Sequence, residues 1–197
     1  MRFKNILKTA ALAFALVTSG AHAALVNGNF ETGDLTGYTV SQDGIGYVGV
    51  DYVSPNSGSF AAFFAGTDPR AQDTLSQTLD TEVGSLYSVR FFLQNEFDAN
   101  PDNMFTVRFG DTVLLSLVND AGFAYKEFVT EVVATASRTS LSFTGYNAPT
   151  AYDLDDIAVA RIEPAPTDVP EPGTAALLGL GFAGIVGLRR KARAPKA

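Results

Sequence analysis

The chain has 197 residues, no cysteine, no tryptophan and one histidine, and its formal net charge is −7. The absence of cysteine excludes stabilisation by disulfides. The single histidine, His22, lies in an N-terminal segment that we expect to be removed. The mature chain then cannot build Ser-His-Asp or Cys-His catalysis or the usual zinc sites, which leaves carboxylates, Tyr, Lys and Arg for any chemistry.

Residues 1–23 have the organisation of a signal peptide. Arg2, Lys4 and Lys8 form a basic start, residues 9–17 are apolar, and Ala21-His22-Ala23 matches a small-x-small cleavage site. We expect signal peptidase to cleave after Ala23 and the mature chain to be exported. The alternative is that this segment is a short first helix of the fold.

Residues 24–163 have the pattern of an all-β domain, with short apolar runs between turn residues and no helical periodicity that reaches two turns. The predicted strands lie at residues 45–53, 59–65, 75–79, 87–97, 105–109, 113–118, 125–133, 139–143 and 156–162. Their regular spacing predicts one antiparallel β-sandwich. The length suits a single domain with a proper core.

Most of the acidic residues lie between the two ends of the chain. Residues 24–168 contain six Lys and Arg against 20 Asp and Glu, so the net charge of this part is −14 rather than −7. Such a charge repels phosphate backbones and argues against nucleic-acid binding. It also attracts divalent cations.

The C-terminal part reads as a linker at residues 164–168 followed by a membrane segment. Residues 173–188 carry no charge and would form a helix of about 24 Å, shorter than the hydrocarbon core of about 30 Å. Snorkelling of Arg189 and Arg190 would close the gap. A basic tail runs to residue 197 and predicts a cytoplasmic end. The alternative is a buried C-terminal helix.

This segment resembles the PEP-CTERM sorting signal of Gram-negative bacteria. Pro170, Glu171 and Pro172 precede the apolar span, and Arg189 and Arg190 follow it, so the resemblance covers residues 169–193. It implies recognition by an exosortase, a membrane-embedded protease-transpeptidase that cleaves near the Pro-Glu-Pro motif. The protein would be anchored in the membrane until then, and the rest of the chain would reach the surface or the medium.

Three motifs in the predicted domain resemble jelly-roll domains of the carbohydrate-binding-module type, which have a galactose-binding-like fold. They are Asn-Gly-Asn-Phe-Glu-Thr-Gly at residues 27–33 with Gly37-Tyr38, Leu-Ser-Gln-Thr-Leu at 75–79 with residues 84–93, and Leu-Asp-Asp-Ile at 154–157. Tyr38 stands where the family usually has Trp. The resemblance implies a jelly roll that serves as a sugar-binding module, an adhesion module or a spacer.

The same resemblance implies a structural calcium ion, because the first and last strands of the family lie close together near a common calcium site. Glu31, Asp155 and Asp156 would supply carboxylate oxygens, and Asn29 could add a carbonyl. The alternative is that these carboxylates accept hydrogen bonds from loop amides.

The predicted strand 87–97 carries our candidate ligand-binding residues. Val89, Phe91 and Leu93 share one face, which we expect to be core, because side chains alternate along a strand. Its other face carries Arg90, Phe92, Gln94 and Glu96, and we expect Arg108 to join them from a neighbouring strand. Polar groups and a ring suit a polysaccharide. The alternative is an ordinary solvated face with surface ion pairs.

Aromatic residues in the predicted loops offer further stacking surfaces for sugars, although each is also explained by packing. They are Tyr47, Tyr52, Tyr146 and Tyr152.

We therefore expect an exported protein of the extracellular matrix, exopolysaccharide or biofilm that binds polysaccharide weakly or acts in adhesion, and not an enzyme. A rival is a carboxylate-dependent enzyme that acts on polysaccharide. Glu96 and Asp98 lie two residues apart on one predicted strand, about 6.5–7 Å between Cα atoms, which fits an inverting arrangement. A structural surface protein without a ligand is the third alternative.

Overall fold

Ten strands and no helix make up the part of the chain that the computed structural model describes, which is residues 24–42, 46–66, 72–96 and 102–163. The strands are β1 (Thr39–Ser41), β2 (Gly46–Asp51), β3 (Ala61–Gly66), β4 (Asp73–Asp80), β5 (Leu86–Asn95), β6 (Asn103–Phe109), β7 (Thr112–Val118), β8 (Phe123–Val133), β9 (Arg138–Asn147) and β10 (Ala151–Arg161).

The strands form two five-stranded antiparallel sheets. The first sheet has the order β1-β4-β9-β6-β7, and the second has the order β2-β3-β10-β5-β8. Among the described strands, only β2 with β3 and β6 with β7 are neighbours both along the chain and within a sheet, so the other connections cross from one sheet to the other. This is a jelly-roll sandwich, and the predicted fold class is confirmed.

The two sheets enclose a core rich in aromatic rings. Phe64 of the second sheet meets Phe105 of the first edge to face at 5.2 Å between ring centroids, and Phe91 meets Phe143 in the same way at 5.6 Å. All four rings are buried. Such pairs add to the stabilisation that comes from burial of apolar area, which explains how the fold holds without cysteine.

The predicted alternation along β5 is confirmed. Val89, Phe91 and Leu93 are fully buried, whereas Arg90 is exposed and Phe92 is half-buried on the opposite face.

Two strands differ most from the sequence prediction. The short strand β1 was not predicted, because its three residues are all exposed and carry no apolar alternation. Strand β10 begins at Ala151 rather than at residue 156, because Tyr152 and Leu154 are buried in the core and alternate with Asp153. Asp153 and Asp155 interrupt the apolar pattern that marks the other strands in the sequence.

Buried asparagines hold the loop between β7 and β8. The Nδ2 of Asn103 donates to the carbonyl oxygen of Asp120 at 2.9 Å, and its Oδ1 accepts from the backbone N of Asp120 at 3.1 Å and from the Tyr152 hydroxyl at 2.5 Å. Asn95 donates to the same Asp120 carbonyl at 3.1 Å and accepts from Asn147 at 2.8 Å. These side chains replace the ladder hydrogen bonds that end where the chain crosses between the sheets.

The predicted signal peptide at residues 1–23 and the predicted linker and membrane segment at residues 164–197 lie outside the described residues. The chain divides into two units, residues 1–162 and 163–197. A search of the described ranges for a helix long and apolar enough to cross a membrane finds none.

The asparagine network makes a prediction about stability. We expect Asn103→Ala to lower the free energy of unfolding by about 3 kcal/mol, because it removes the acceptor of the buried Tyr152 hydroxyl and of the Asp120 backbone N–H. Urea unfolding of the full chain, followed by circular dichroism, measures this change. Ser140→Ala, on an exposed side chain, is the control and should cost less than about 0.5 kcal/mol. Equal effects of the two substitutions would contradict the role of the network.

Candidate functional site

The outer surface of the second sheet, which we call the acidic face, carries the residues predicted from the sequence. Register places Phe63, Asp153 and Gln94 side by side on β3, β10 and β5, and it places Asp155 beside Phe92 in the next row. The face comprises Asp51, Phe63, Arg90, Phe92, Gln94, Glu96, Tyr125, Glu127, Asp153 and Asp155. The structure therefore brings Arg90, Phe92, Gln94 and Glu96 onto one face, as their alternation along the strand predicted.

The polar groups of the acidic face interact mainly with one another. Arg90 Nη1 lies 3.5 Å from Glu127 Oε1, and its guanidinium lies 5.8 Å from the centroid of the Phe92 ring. Gln94 Nε2 donates to Asp153 Oδ2 at 3.3 Å. Groups that already have partners gain less from a ligand, since each new hydrogen bond replaces an existing one.

Asp153 is the most perturbed carboxyl group of this face. Its side chain is buried, and burial, followed by the negative charges of Glu96 and Asp51, raises its pKa to about 8. A side-chain hydrogen bond with Glu96 acts in the same direction. At pH 7 Asp153 is therefore largely protonated and shares its proton with Glu96.

The hydroxyl group of Tyr125 covers the edge of the same cluster. It donates to the carbonyl oxygen of Ser54 at 2.7 Å. Burial and then the charge of Asp153 raise the pKa of Tyr125, so this hydroxyl stays neutral and remains a donor.

The predicted calcium ligands hold the loop between β2 and β3. Asp155 Oδ2 accepts from the backbone N of Asn56 at 2.9 Å and of Ser57 at 3.1 Å. Asp156 accepts from the side chains of the same two residues, at 2.8 Å each. Burial raises the pKa of Asp155 to about 6, against the lowering effect of the backbone hydrogen bonds.

Glu31 binds the far end of the same loop, where its Oε1 accepts from the backbone N of Ser59 at 2.8 Å and of Phe60 at 3.0 Å. Glu31, Asp155 and Asp156 thus act on one loop but use their oxygens on N–H and O–H donors. Within the described ranges, no three acidic side chains form a group that could hold a metal ion. In this arrangement the three residues do not fit calcium, and the calcium site stays a prediction.

Arg108 does not join the acidic face, which corrects the sequence expectation. It lies on β6, which pairs with β7 and β9 in the first sheet, whereas Arg90 lies on β5 in the second. The reason is topological: the connection from β5 to β6 crosses between the sheets. Arg108 therefore faces solvent on the opposite side of the sandwich.

The outer surface of the first sheet, which we call the hydroxyl face, is lined with serine and threonine. Its members are Thr39, Ser41, Thr74, Ser76, Thr78, Thr106, Ser116, Ser140, Ser142 and Thr144, together with Arg108. Register aligns one hydroxyl residue from every strand in a single row, in the order Ser41, Thr74, Thr144, Thr106 and Ser116. Neighbours in such a row lie about 4.8 Å apart.

The second row of this face contains Arg108. It runs through Thr39, Ser76, Ser142 and Arg108 on β1, β4, β9 and β6. Within the first row, Thr74 and Thr144 share a hydroxyl hydrogen bond of 2.8 Å.

A cavity of about 290 Å³ opens on the hydroxyl face. It is lined by Gln72, Met104, Thr106, Arg108 and Thr144. An amide, two hydroxyls and a guanidinium surround one apolar side chain, which is the mixture that a sugar ring requires: donors and acceptors for its hydroxyls and an apolar surface for its C–H groups.

The hydroxyl face was not predicted as a site, although the sequence contains a signal for it. Hydroxyl residues occupy every second position at 74, 76 and 78 and again at 140, 142 and 144. The period of two assigns each set to one face of its strand. This period does not reveal that β4 and β9 are neighbours.

The aromatic residues proposed for stacking separate into two groups. Tyr146 and Tyr152 are both buried, and Tyr152 packs against Phe105 in the core at 5.0 Å between ring centroids. Tyr47 and Tyr52 are 61% and 78% exposed and lie at the edge of the acidic face.

The raised pKa of Asp153 predicts a loss of stability as pH rises. The folded state keeps a proton up to about pH 8 that the unfolded state releases near pH 4, so the stabilising contribution of the protonated form is complete below pH 4 and is lost towards pH 8. We expect Asp153→Asn, which can still donate to Glu96, to be more stable than the parent at pH 8.5 by a few kcal/mol and equal to it near pH 4. Thermal melts of the full chain between pH 4 and 9 test this.

Asp34→Asn is the control, because its effect on stability should change with pH in the opposite direction. Hydrogen bonds from the Thr36 and Thr32 side chains lower the pKa of Asp34, so its contribution is present at neutral pH and is lost in acid. This variant should be less stable than the parent at pH 7 and approach it at low pH. A difference between Asp153→Asn and the parent that does not change with pH would contradict the assignment.

The C-terminal segment matches the family model of the PEP-CTERM protein-sorting motif at residues 168–191. The motif implies export, a membrane-anchored sorting signal before processing, and processing by an exosortase. No curated protein matches the chain.

Solved structures similar to this chain are β-sandwich domains. The TmCBM61 module, solved with β-1,4-galactotriose, gives a TM-score of 0.52 at 19% identity and covers 71% of this chain and 99% of its own. The K1 adhesin domain of Lys-gingipain from Porphyromonas gingivalis W83 gives a TM-score of 0.53 at 12% identity. The match covers 68% of this chain and 96% of the adhesin domain.

The enzymatically active domain of tailspike protein 4 from bacteriophage CBA120 gives a TM-score of 0.56 at 17% identity and covers 71% of this chain. This chain spans only 21% of that one. At these identities the likeness concerns the fold. The protein carries a PEP-CTERM sorting motif, and its described part has the β-sandwich fold of carbohydrate-binding modules.

Proposed function

We propose that the exported protein binds an extracellular polysaccharide through its hydroxyl face. The observation that carries this proposal is the row of five hydroxyl residues, one from each strand of the first sheet, beside the cavity lined by Thr106, Thr144 and Arg108. A row that crosses the whole sheet offers a linear series of donors and acceptors to an extended chain of sugars.

The chemistry of the hydroxyl face suits a ligand rich in hydroxyl groups. Serine and threonine both donate and accept hydrogen bonds, so they adapt to either role of a sugar hydroxyl. Neutral hydroxyls also lose less hydration energy on binding than the carboxylates of the acidic face do. Met104 supplies an apolar surface within the cavity.

We expect weak binding at each site. The face is open to solvent, and the chain has no tryptophan to stack on a sugar ring. Dissociation constants of about 0.1–1 mM for an oligosaccharide correspond to about −4 to −5.5 kcal/mol. Several copies bound along one polymer would raise the overall avidity without new contacts.

The sorting motif supports a place for this binding outside the cell. An exosortase-processed protein with affinity for polysaccharide would act as a component of the extracellular matrix, the exopolysaccharide or a biofilm, or in adhesion. The adhesin domain and the galactotriose-bound module have the same fold, which supports both roles.

Removal of two hydroxyls tests the binding face. We expect the full chain in mild detergent to be retarded in affinity electrophoresis through exopolysaccharide extracted from its native cells. Thr106→Val with Thr144→Val should weaken binding about tenfold or more, because the two hydroxyls lie in the cavity and valine keeps their shape. Thr112→Val, on an exposed threonine outside the cavity, is the matched control.

A second substitution distinguishes the two faces. Arg90→Gln changes the acidic face and should leave retardation unchanged. If Arg90→Gln weakens binding and the double valine variant does not, the ligand binds the acidic face. If the parent is not retarded at all, the protein is a structural component without a saccharide ligand.

One observation favours catalysis as a second candidate function. Asp153 keeps a proton at neutral pH beside Glu96, and a carboxylic acid with a raised pKa is what a general acid requires. The proposed partner Asp98 lies outside the described residues. We nevertheless propose binding without cleavage, because the proton of Asp153 is engaged in a side-chain hydrogen bond with Glu96 instead of facing a leaving group.

A reducing-sugar assay on the same exopolysaccharide tests this choice. We expect no release of reducing ends by the full chain and no difference between the parent and Glu96→Gln. Release that Glu96→Gln abolishes would establish the enzyme and overturn the binding function.

A further inference from the structure

Among the residues that the structure describes, Arg108 is not paired with a carboxylate. Its guanidinium lines the cavity of the hydroxyl face and donates to a neutral group, the carbonyl oxygen of Asp111, at 3.4 Å. The side chain is exposed. It lies in the same row as Ser142 and two residues along β6 from Thr106, so its donors and the hydroxyls point to one volume.

Every other cation in the described part of the chain has a partner. Arg90 pairs with Glu127 at 3.5 Å, Arg138 pairs with Asp80 at 3.8 Å, and Arg161 pairs with Glu82. The ammonium group of Lys126 lies 4.3 Å from the centroid of the Phe123 ring. Among these residues, Arg108 alone has neither a carboxylate nor a ring as a partner in the structure.

Charge is also distributed unequally between the two sheets. The strands of the second sheet contain six acidic and three basic residues. The strands of the first sheet contain two of each, and one of the acidic residues, Asp73, is buried. Since Asp80 pairs with Arg138, Arg108 is the one basic residue on the strands of the first sheet without a carboxylate partner.

We propose that the hydroxyl face binds an acidic polysaccharide and that Arg108 binds the carboxylate of a uronic acid unit. A guanidinium presents two parallel N–H donors to the two oxygens of a carboxylate. Thr106 and Thr144 bind the hydroxyls of the same or the adjacent sugar. This inference rests on the proposed function, since it names the class of polysaccharide that the same site binds.

The negative charge of the rest of the protein does not prevent contact between Arg108 and a uronate. At physiological ionic strength the Debye length is about 8 Å, and two packed sheets lie about 10 Å apart, so the carboxylates of the acidic face are largely screened from a ligand on the opposite side. The contact between Arg108 and a uronate is direct and is screened much less.

The test compares polymers that differ only in their carboxylates. The probes are polygalacturonate, alginate and glucuronan, each before and after reduction of the carboxyl groups to primary alcohols, and affinity electrophoresis of the full chain is the measurement. We expect at least one uronate polymer to bind about fivefold or more tightly than its reduced form. Arg108→Gln should remove this difference and change binding of the reduced form less than twofold.

Two further variants make the result specific. Arg108→Lys keeps the charge but loses the two-donor geometry, so it should retain only part of the preference. Arg90→Gln removes a cation from the opposite face and should retain all of it. Dextran sulfate, compared with dextran, reports any general attraction to polyanions, and binding of dextran sulfate as tight as that of the uronate would overturn carboxylate recognition.

The failures of the two proposals are distinguishable. Equal binding of each polymer and its reduced form, weakened by Thr106→Val with Thr144→Val, would keep the saccharide face and overturn the role of uronate. Binding of none of the six polymers would overturn the uronate inference. The proposed function would then be tested separately by the native exopolysaccharide: retardation of the parent protein would support it, and no retardation would contradict it.

Discussion

A β-strand presents side chains on two faces, and a two-sheet sandwich can bury only one face of each strand. This constraint determines where this protein can act. The inner faces are filled by rings such as Phe64, Phe91, Phe105 and Phe143, which leave no free surface. Only the outer faces can differ in chemistry without loss of the core, and they differ strongly: one carries hydroxyl groups and the other carboxylates.

The loops of the sandwich are held by polar side chains instead of covalent links. Asn103 fixes the loop before β8, and Asp155 and Glu31 fix the two ends of the loop before β3. Hydrogen bonds from backbone N–H groups to carboxylates are stronger than neutral ones and offset much of the cost of burying the charge. A chain without cysteine thereby holds its loops in defined positions.

The sequence predicted what depends on short-range order. Alternation along β5 assigned Val89 to the core and Arg90 to the surface correctly, and turn residues located nine of the ten strands approximately. Strand β1 has too few residues for any period to be visible. The start of β10 was missed because the buried residues Asp153 and Asp155 interrupt the apolar pattern of the strand.

The sequence could not predict which strands are neighbours. Arg108 and Arg90 alternate correctly on their own strands but belong to opposite sheets, since the pairing of β6 with β9 joins residues more than thirty positions apart. The hydroxyl row has the same origin: Thr74 and Thr144 become neighbours only when β4 pairs with β9. Local periodicity assigns a residue to a face, and long-range pairing decides what that face becomes.

The two faces differ in the free energy that a ligand must spend to displace their water. A carboxylate removed from water loses several kcal/mol unless a cation replaces the water, whereas a hydroxyl exchanges one hydrogen bond for another at little net cost. On the acidic face, Asp153 avoids part of this cost by keeping its proton, and the hydrogen bonds of Gln94 and Arg90 are directed to neighbours. Around the cavity of the hydroxyl face, the described side chains make fewer such hydrogen bonds: Thr74 shares one with Thr144, and Arg108 donates to the carbonyl oxygen of Asp111. A ligand therefore displaces water at lower cost there, and the carboxylates on the opposite side remain hydrated and keep neighbouring copies apart.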